Sequence, residues 1–124
     1  MKFDSRILAL YLIADSCYGQ LLERTEQALQ GGVTLVQLRM KDAEGKDFFE
    51  MASQMKFLCD QYKISLVIND RVDIALAVDA AGVHLGQTDL PVEVVRKILG
   101  PEKIIGITGR IKEDFERAAK AGAD

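Results

Sequence analysis

Apolar and polar positions along this chain follow two alternating rhythms. Ile7 to Ala14 is almost continuously apolar and predicts a buried first strand. Leu21, Leu22, Thr25, Ala28 and Leu29 then fall at helical spacing, and Gly31-Gly32 closes that helix as a C-cap. Val33 to Arg39 predicts a second strand and Asp42 to Gly45 a polar loop. Lys46 to Tyr62 predicts the longest helix, with Phe48, Met51, Met55 and Cys59 along its apolar stripe. A third strand is expected over Ile64 to Asn69, a short helix over Arg71 to Val78, and a fourth strand over Gly82 to Leu85. Pro91 suits the first turn of a helix whose apolar face is Val94, Val95, Ile98 and Leu99. Lys103 to Thr108 predicts a fifth strand and Lys112 to Ala121 a fifth helix, ended by Gly122. Five strand–helix units in strict alternation imply an α/β fold with a parallel sheet. No linker divides the 124 residues, so a single domain is expected over residues 1–124.

The polar positions within the strands carry the chemistry. Gln37, Arg39 and Lys41 fall at every second position, which on an extended strand puts an amide, a guanidinium and an ammonium on one side. Asn69 shares the phase of Ser65 and Val67, His84 sits between Val83 and Leu85, and Thr108 is out of phase with Ile105 and Ile107. Four successive strands thus place a polar side chain near the C-terminal end on one parity, with aliphatic residues on the other. The aliphatic parity should pack against helices. The polar parity should share a crevice at the C-terminal edge of the sheet, where parallel α/β proteins build their sites. Two cations at a strand tip suit an anionic ligand.

Asp70 directly follows Asn69, and Asp89 lies in the loop after the fourth strand, so neighbouring strands would bring the two carboxylates together. Mg²⁺ commonly takes one or two carboxylates and fills its octahedron with water and phosphate oxygens. Each aspartate could equally cap the helix that follows it, and capping does not exclude metal binding. His84, the sole histidine, is expected to orient a neighbour through hydrogen bonding rather than act as a general base. Arg71 and Asp73 read as first-turn helix residues, and the charges from Lys112 to Arg117 as a solvated helix face.

Composition removes several classes. A net charge of −3 with interspersed signs and no basic patch argues against a nucleic-acid partner. No apolar run approaches the ~20 residues of a membrane helix, and no secretory pattern opens the chain, so a cytoplasmic protein is expected. Cys59 belongs to a core stripe and Cys17 to a loop, without metal-ligand spacing. P-loop, Rossmann, nucleophile-elbow and zinc motifs are all missing from the sequence.

Tyr11-Leu12-Ile13-Ala14-Asp15, Gln37-Leu38-Arg39-Met40-Lys41, Ile68-Asn69-Asp70-Arg71 and Gly82-Val83-His84-Leu85-Gly86-Gln87-Thr88-Asp89-Leu90 occur in the order found in thiamine phosphate synthases. The chain resembles that family over essentially its whole length. The resemblance implies a (β/α)8 TIM barrel that joins hydroxymethylpyrimidine diphosphate to thiazole phosphate and releases diphosphate. It also implies that Gln37, Arg39, Lys41 and Asn69 hold the pyrimidine diphosphate and that Asp70 and Asp89 bind Mg²⁺. Thr108 stands where the family usually has a serine touching the same substrate, and Ala14-Asp15 where Thr-Asp is more usual. No residue is assigned as catalytic acid or base.

A complete barrel has eight strands, and Ala121-Gly122-Ala123-Asp124 falls where a sixth would begin. The family's later Thr-x-Thr-Lys segment and glycine-rich phosphate loops do not occur. The expectation is therefore a partial barrel of five parallel β/α units, either an open sheet or one completed by homo-oligomerisation over its unpaired edges. It would carry the pyrimidine-diphosphate and metal half of the site. A non-catalytic Mg-diphosphate-binding module and a thiazole tautomerase-like relative are the alternatives.

Overall fold

The apolar run at the start of the chain does not enter the sheet directly. In the computed structural model, which describes residues 3–124, Ser5–Ala9 form a 3-10 turn and the first strand, β1, is Tyr11–Asp15. Polar partners account for this departure from a strand over Ile7 to Ala14. The Asp4 carboxylate accepts from the Arg6 N–H at 3.0 Å. The Thr34 hydroxyl accepts from the Leu10 N–H at 2.8 Å and donates to the Ile7 carbonyl at 2.6 Å. Side-chain bonds of this kind stabilise turns at the expense of extended pairing.

Beyond that turn the alternation holds. After a 3-10 turn at Ser16–Tyr18 that carries the exposed Cys17 come α1 (Leu21–Gln30), β2 (Leu35–Arg39) and α2 (Gly45–Gln61). Next are β3 (Ser65–Asn69), α3 (Val72–Ala77), β4 (Gly82–Leu85), α4 (Val92–Leu99), β5 (Ile104–Ile107) and α5 (Lys112–Ala121). The strands form one parallel sheet in the order β1-β2-β3-β4-β5.

Burial pins the register. Val36, Leu38, Leu66, Ile68, Val83, Leu85 and Ile105 are at most 1% exposed and pack with Phe48, Met55 and Cys59 of α2 and Val95 of α4. A slip of one residue would turn this whole set away from the helices, at roughly 1.5–3 kcal/mol per aliphatic side chain. The close approach of β4 to β5 needs glycine at 82, because a Cβ there would lie 2.0 Å from the Ile104 carbonyl oxygen. Among the described residues, no helix is long and apolar enough to cross a membrane.

One expected surface charge turns inward. Lys112, Glu113 and Glu116 are exposed, but Asp114 is buried. It accepts from the Arg110 N–H at 2.9 Å and the Ile111 N–H at 3.2 Å, and pairs with Arg117. A carboxylate at the third helical position reaches back to donors that the first turn leaves without partners. Asp114 therefore belongs to the helix start, not to a solvated face.

The open edge of β5 is engaged at one residue. The Asp124 N–H donates to the Ile105 carbonyl at 2.8 Å, and its carboxylate accepts from the Ile105 N–H at 3.0 Å. Arg96 holds that carboxylate and the Gly122 carbonyl, each at 2.8 Å. On the face of the sheet away from the main helix layer lies a cavity of about 350 Å³, lined in part by Leu8, Tyr11, Leu35, Val67 and Gly106.

Candidate functional site

Register carries the polar parity across the sheet. Asp15 of β1 pairs with Arg39 of β2, Asn69 of β3 with His84 of β4, and His84 with Gly106 of β5. Gln37 pairs with Val67, so Arg39 and Asn69, each two residues on, fall in the same row. These residues line up at the C-terminal ends of their strands on the face opposite the aliphatic set. Strand alternation and parallel pairing together produce that row.

Lys41 reaches the site by another route. β2 ends at Arg39, so Lys41 lies in the following loop and does not continue the strand alternation expected for it. Its Nζ is 2.5 Å from Asp70 Oδ2. Asp70 sits at φ +66°, a left-handed conformation that aspartate and asparagine tolerate better than most residues. Its N–H donates to the His84 carbonyl at 2.8 Å, which ties the end of β3 to β4.

Neither aspartate caps a helix. The residue before α3 is Arg71, which makes no side-chain cap bond, and Asp70 turns to Lys41 instead. Pro91 precedes α4, and Asp89 Oδ2 accepts from the Gly86 N–H at 2.6 Å, closing the β4–α4 loop. The capping alternative is thereby corrected for both. Arg71 pairs with Asp73 at the start of α3, as a local helix pair.

His84 stands between these loops. Burial lowers the basicity of its imidazole, while the Asp70 and Asp89 carboxylates act in the opposite sense. His84 Nε2 is 2.8 Å from the Thr108 hydroxyl, and Gln87 Nε2 donates to the Thr108 carbonyl at 2.6 Å. Gly106 makes room for the ring, since a Cβ there would lie 2.6 Å from His84 Nδ1. His84 and Gln87 thus fix Thr108 from two sides.

Two further partners escape a reading of the sequence by motif roles alone. Gln37 is 2% exposed and its amide donates to the Tyr11 hydroxyl at 2.9 Å. Arg39 pairs with Asp15 at 2.5 Å, and Asp15 also accepts from the Cys17 N–H at 3.0 Å. That backbone bond, followed by the guanidinium, holds the Asp15 carboxyl below the usual carboxylate range. Extending the parity rule to the first strand finds both, because Tyr11 and Asp15 share the phase of Gln37 and Arg39.

Asp70 and Asp89 are hard oxygen donors, the kind that Mg²⁺ takes. Among the described residues, no group of three or more His, Cys, Asp or Glu is placed to hold a metal. Structural and catalytic zinc sites use three or four such ligands, whereas Mg²⁺ is commonly held by one or two carboxylates plus phosphate oxygens. Asp70 and Asp89 each engage one carboxylate oxygen in the protein contacts described, which leaves the other for a ligand.

A parallel sheet of β/α units carries a row of cations, amides and carboxylates at its C-terminal ends, the edge at which β/α barrels build their sites. The family model described as "Thiamine monophosphate synthase" matches residues 10–124, and the chain belongs to that family. The thiamine-phosphate synthase of Clostridium tetani is 50% identical over 118 residues, covering 93% of this chain and 56% of its own length. The bifunctional thiamine biosynthetic enzyme TH1 of Arabidopsis thaliana is 44% identical over 127 residues, 98% of this chain and 24% of its own. The solved thiamine phosphate pyrophosphorylase from Pyrococcus furiosus aligns with a TM-score of 0.90 at 40% identity, over 95% of this chain and 58% of that one. The five units are therefore a partial (β/α)8 barrel. The chain spans a little over half the length of the bacterial relative and of the solved structure.

Proposed function

We propose that this chain carries the pyrimidine-diphosphate and metal half of a thiamine phosphate synthase site. In that reaction the methylene carbon of hydroxymethylpyrimidine diphosphate loses diphosphate and joins the nitrogen of a thiazole phosphate. The observation that carries the reading is the meeting of separate strand tips: Arg39 on Asp15, Asn69 in register with His84, and Lys41 on Asp70.

Breaking the carbon–oxygen bond puts charge on the leaving diphosphate, and Arg39 and Lys41 stabilise it as it develops. Arg39 offers a planar fork that spans two oxygens, while Lys41 acts as a point charge. Gln37 and Asn69 hold the pyrimidine diphosphate, and the Thr108 hydroxyl, oriented by His84, meets the same substrate. Asp70 and Asp89 would hold Mg²⁺, which supplies Lewis-acid charge to the leaving group when bound. The thiazole nitrogen brings its own lone pair, so positioning suffices and no side chain need act as acid or base.

The same reading has the chain working in the cytoplasm on two small molecules and associating with a second copy through its open strand edges. The outer edge of β1 and most of that of β5 lack strand partners among the described residues, which supports the association. Sedimentation giving only monomer at micromolar concentration would refute that part.

A second reading is a module that binds Mg-diphosphate without turnover: the Arg39–Asp15 and Lys41–Asp70 pairs lie at the strand tips assigned to the diphosphate, and binding alone would use them in the same way. One pair of measurements separates the two. Calorimetry with hydroxymethylpyrimidine diphosphate and Mg²⁺ tests binding, and chromatography for thiamine phosphate tests coupling. Product favours the enzyme; binding without product favours the module; neither sinks the assignment of the site.

A further inference from the structure

We propose that two copies of this chain join through their β1 edges, antiparallel about a two-fold axis at Ile13, into one continuous sheet. The inference rests on the association proposed above and adds which edge carries it and in what register.

The two outer edges are not equally open. At β5 the Ile104 N–H donates to the Ala81 carbonyl and the Thr108 N–H to the Leu85 carbonyl, each at 2.9 Å. Strand alternation therefore turns the backbone groups of Ile105 and Ile107 outward. Ile105 is already satisfied at both groups by Asp124, which Arg96 holds in place. Within β5 that leaves Ile107, too short a row for a strand to add to. At β1 the Leu10 carbonyl accepts from the Thr34 N–H at 2.9 Å. Leu10, Leu12 and Ala14 thus face β2, while Tyr11 and Ile13 turn their backbone groups outward. Among the described residues no strand lies beside them.

The surroundings of that edge say which occupant fits. Ile7 to Ala14 carries neither charge nor proline, the usual devices by which an edge strand refuses a second strand. Leu8, Leu10 and Ile13 are each about half exposed, and Tyr18 more so. Along β1 runs an open groove of about 250 Å³, lined in part by Leu12, Ala14, Leu21 and Thr25. An uncharged, extended, apolar segment suits it, and β1 is itself such a segment. With the two-fold axis at Ile13, this residue exchanges both outward bonds with its own copy, and Tyr11 faces the partner's Asp15. A contact made by the same patch on both copies closes at two, whereas β1 on β5 would run head to tail.

The test is sedimentation of the parent, Ile13→Lys and Ile98→Lys over the micromolar range, with amide hydrogen exchange of the parent read residue by residue. The parent should be a dimer. Ile13→Lys should weaken it by about tenfold or more, because two ammonium groups then meet across the axis. Ile98→Lys adds the same charge at a similarly exposed aliphatic residue on α4 and should leave the dimer unchanged. Exchange at the Ile13 amide should slow as concentration rises, while the Ile107 amide stays fast. A thermal midpoint of Ile13→Lys near the parent's verifies its fold. Equal weakening by both lysine variants, or slowing at Ile107 in place of Ile13, would overturn the β1 pairing and leave association through another surface standing. A parent that sediments as monomer throughout would remove the association and the pairing together.

Discussion

Gly106→Ala tests whether the imidazole of His84 is held by the space that glycine leaves. The new Cβ would lie 2.6 Å from Nδ1, and ordinary contact requires the ring to retreat by about 1 Å. Nε2 starts 2.8 Å from the Thr108 hydroxyl, so that retreat takes it beyond hydrogen-bond range. Losing a neutral bond costs about 1 kcal/mol, and crowding at the end of a rotatable side chain costs about 1–2 kcal/mol more. Against this, alanine narrows the unfolded ensemble by about 0.5 kcal/mol. The net loss should be about 2 kcal/mol, or about 10 °C in midpoint. Urea denaturation followed by circular dichroism measures it, together with the same substitution in a His84→Ala background. There the obstacle is gone, and Gly106→Ala should be neutral or slightly stabilising. An undiminished loss in that background would refute the reasoning, because the cost would then come from something other than the ring.

Other expectations use different parts of the fold. Gly82→Ala should be far worse than Gly106→Ala, about 3 kcal/mol or more, because its obstacle is the Ile104 carbonyl oxygen at 2.0 Å and backbone cannot rotate away; recovery of folded protein and urea midpoint would check this. Asp114→Asn should destabilise at neutral pH. The backbone N–H groups of Arg110 and Ile111 hold the folded Asp114 carboxyl below its unfolded value, so its contribution is present above the ordinary carboxylate range and lost as pH falls through the folded value. The deficit of the variant should therefore shrink below about pH 4 in denaturation curves. Burial pushes the Cys59 thiol up to about 12, whereas Cys17 is exposed. Iodoacetamide at neutral pH, read by mass spectrometry, should label Cys17 in the native protein and reach Cys59 only after unfolding.

The alternation of elements and the polar row were legible because both follow from burial with a fixed period. β4 and α5 have the bounds their patterns predict, Gly82–Leu85 and Lys112–Ala121. What stayed hidden depends on partners distant in sequence or on local choices with equal signals. The turn at Ser5–Ala9 relies on Thr34, which bonds Leu10 from 24 residues away, and nothing within the apolar run announces it. Nothing in Arg39-Met40-Lys41 marks where pairing ends, so Lys41 looked like a strand residue. Asp70 and Asp89 have the composition of helix caps, and only the backbone shows that they point elsewhere. Asp114 was legible in principle, since an acid three residues into a helix is the usual reach-back position.

The polar row is already bonded to itself, and this governs what it can do. Gln37 is held by Tyr11, Arg39 by Asp15, Lys41 by Asp70, Asp89 by Gly86 and Thr108 by His84. Each partner comes from within these five units, so the geometry of this polar row is set by residues this chain supplies. A ligand must therefore exchange bonds, and affinity reflects the difference between the bond made and the bond given up. Partners that can stay in place, such as Tyr11 behind Gln37 and His84 behind Thr108, lower the ordering cost of binding without competing for the ligand. Asp70 competes directly, being the ion-pair partner of Lys41.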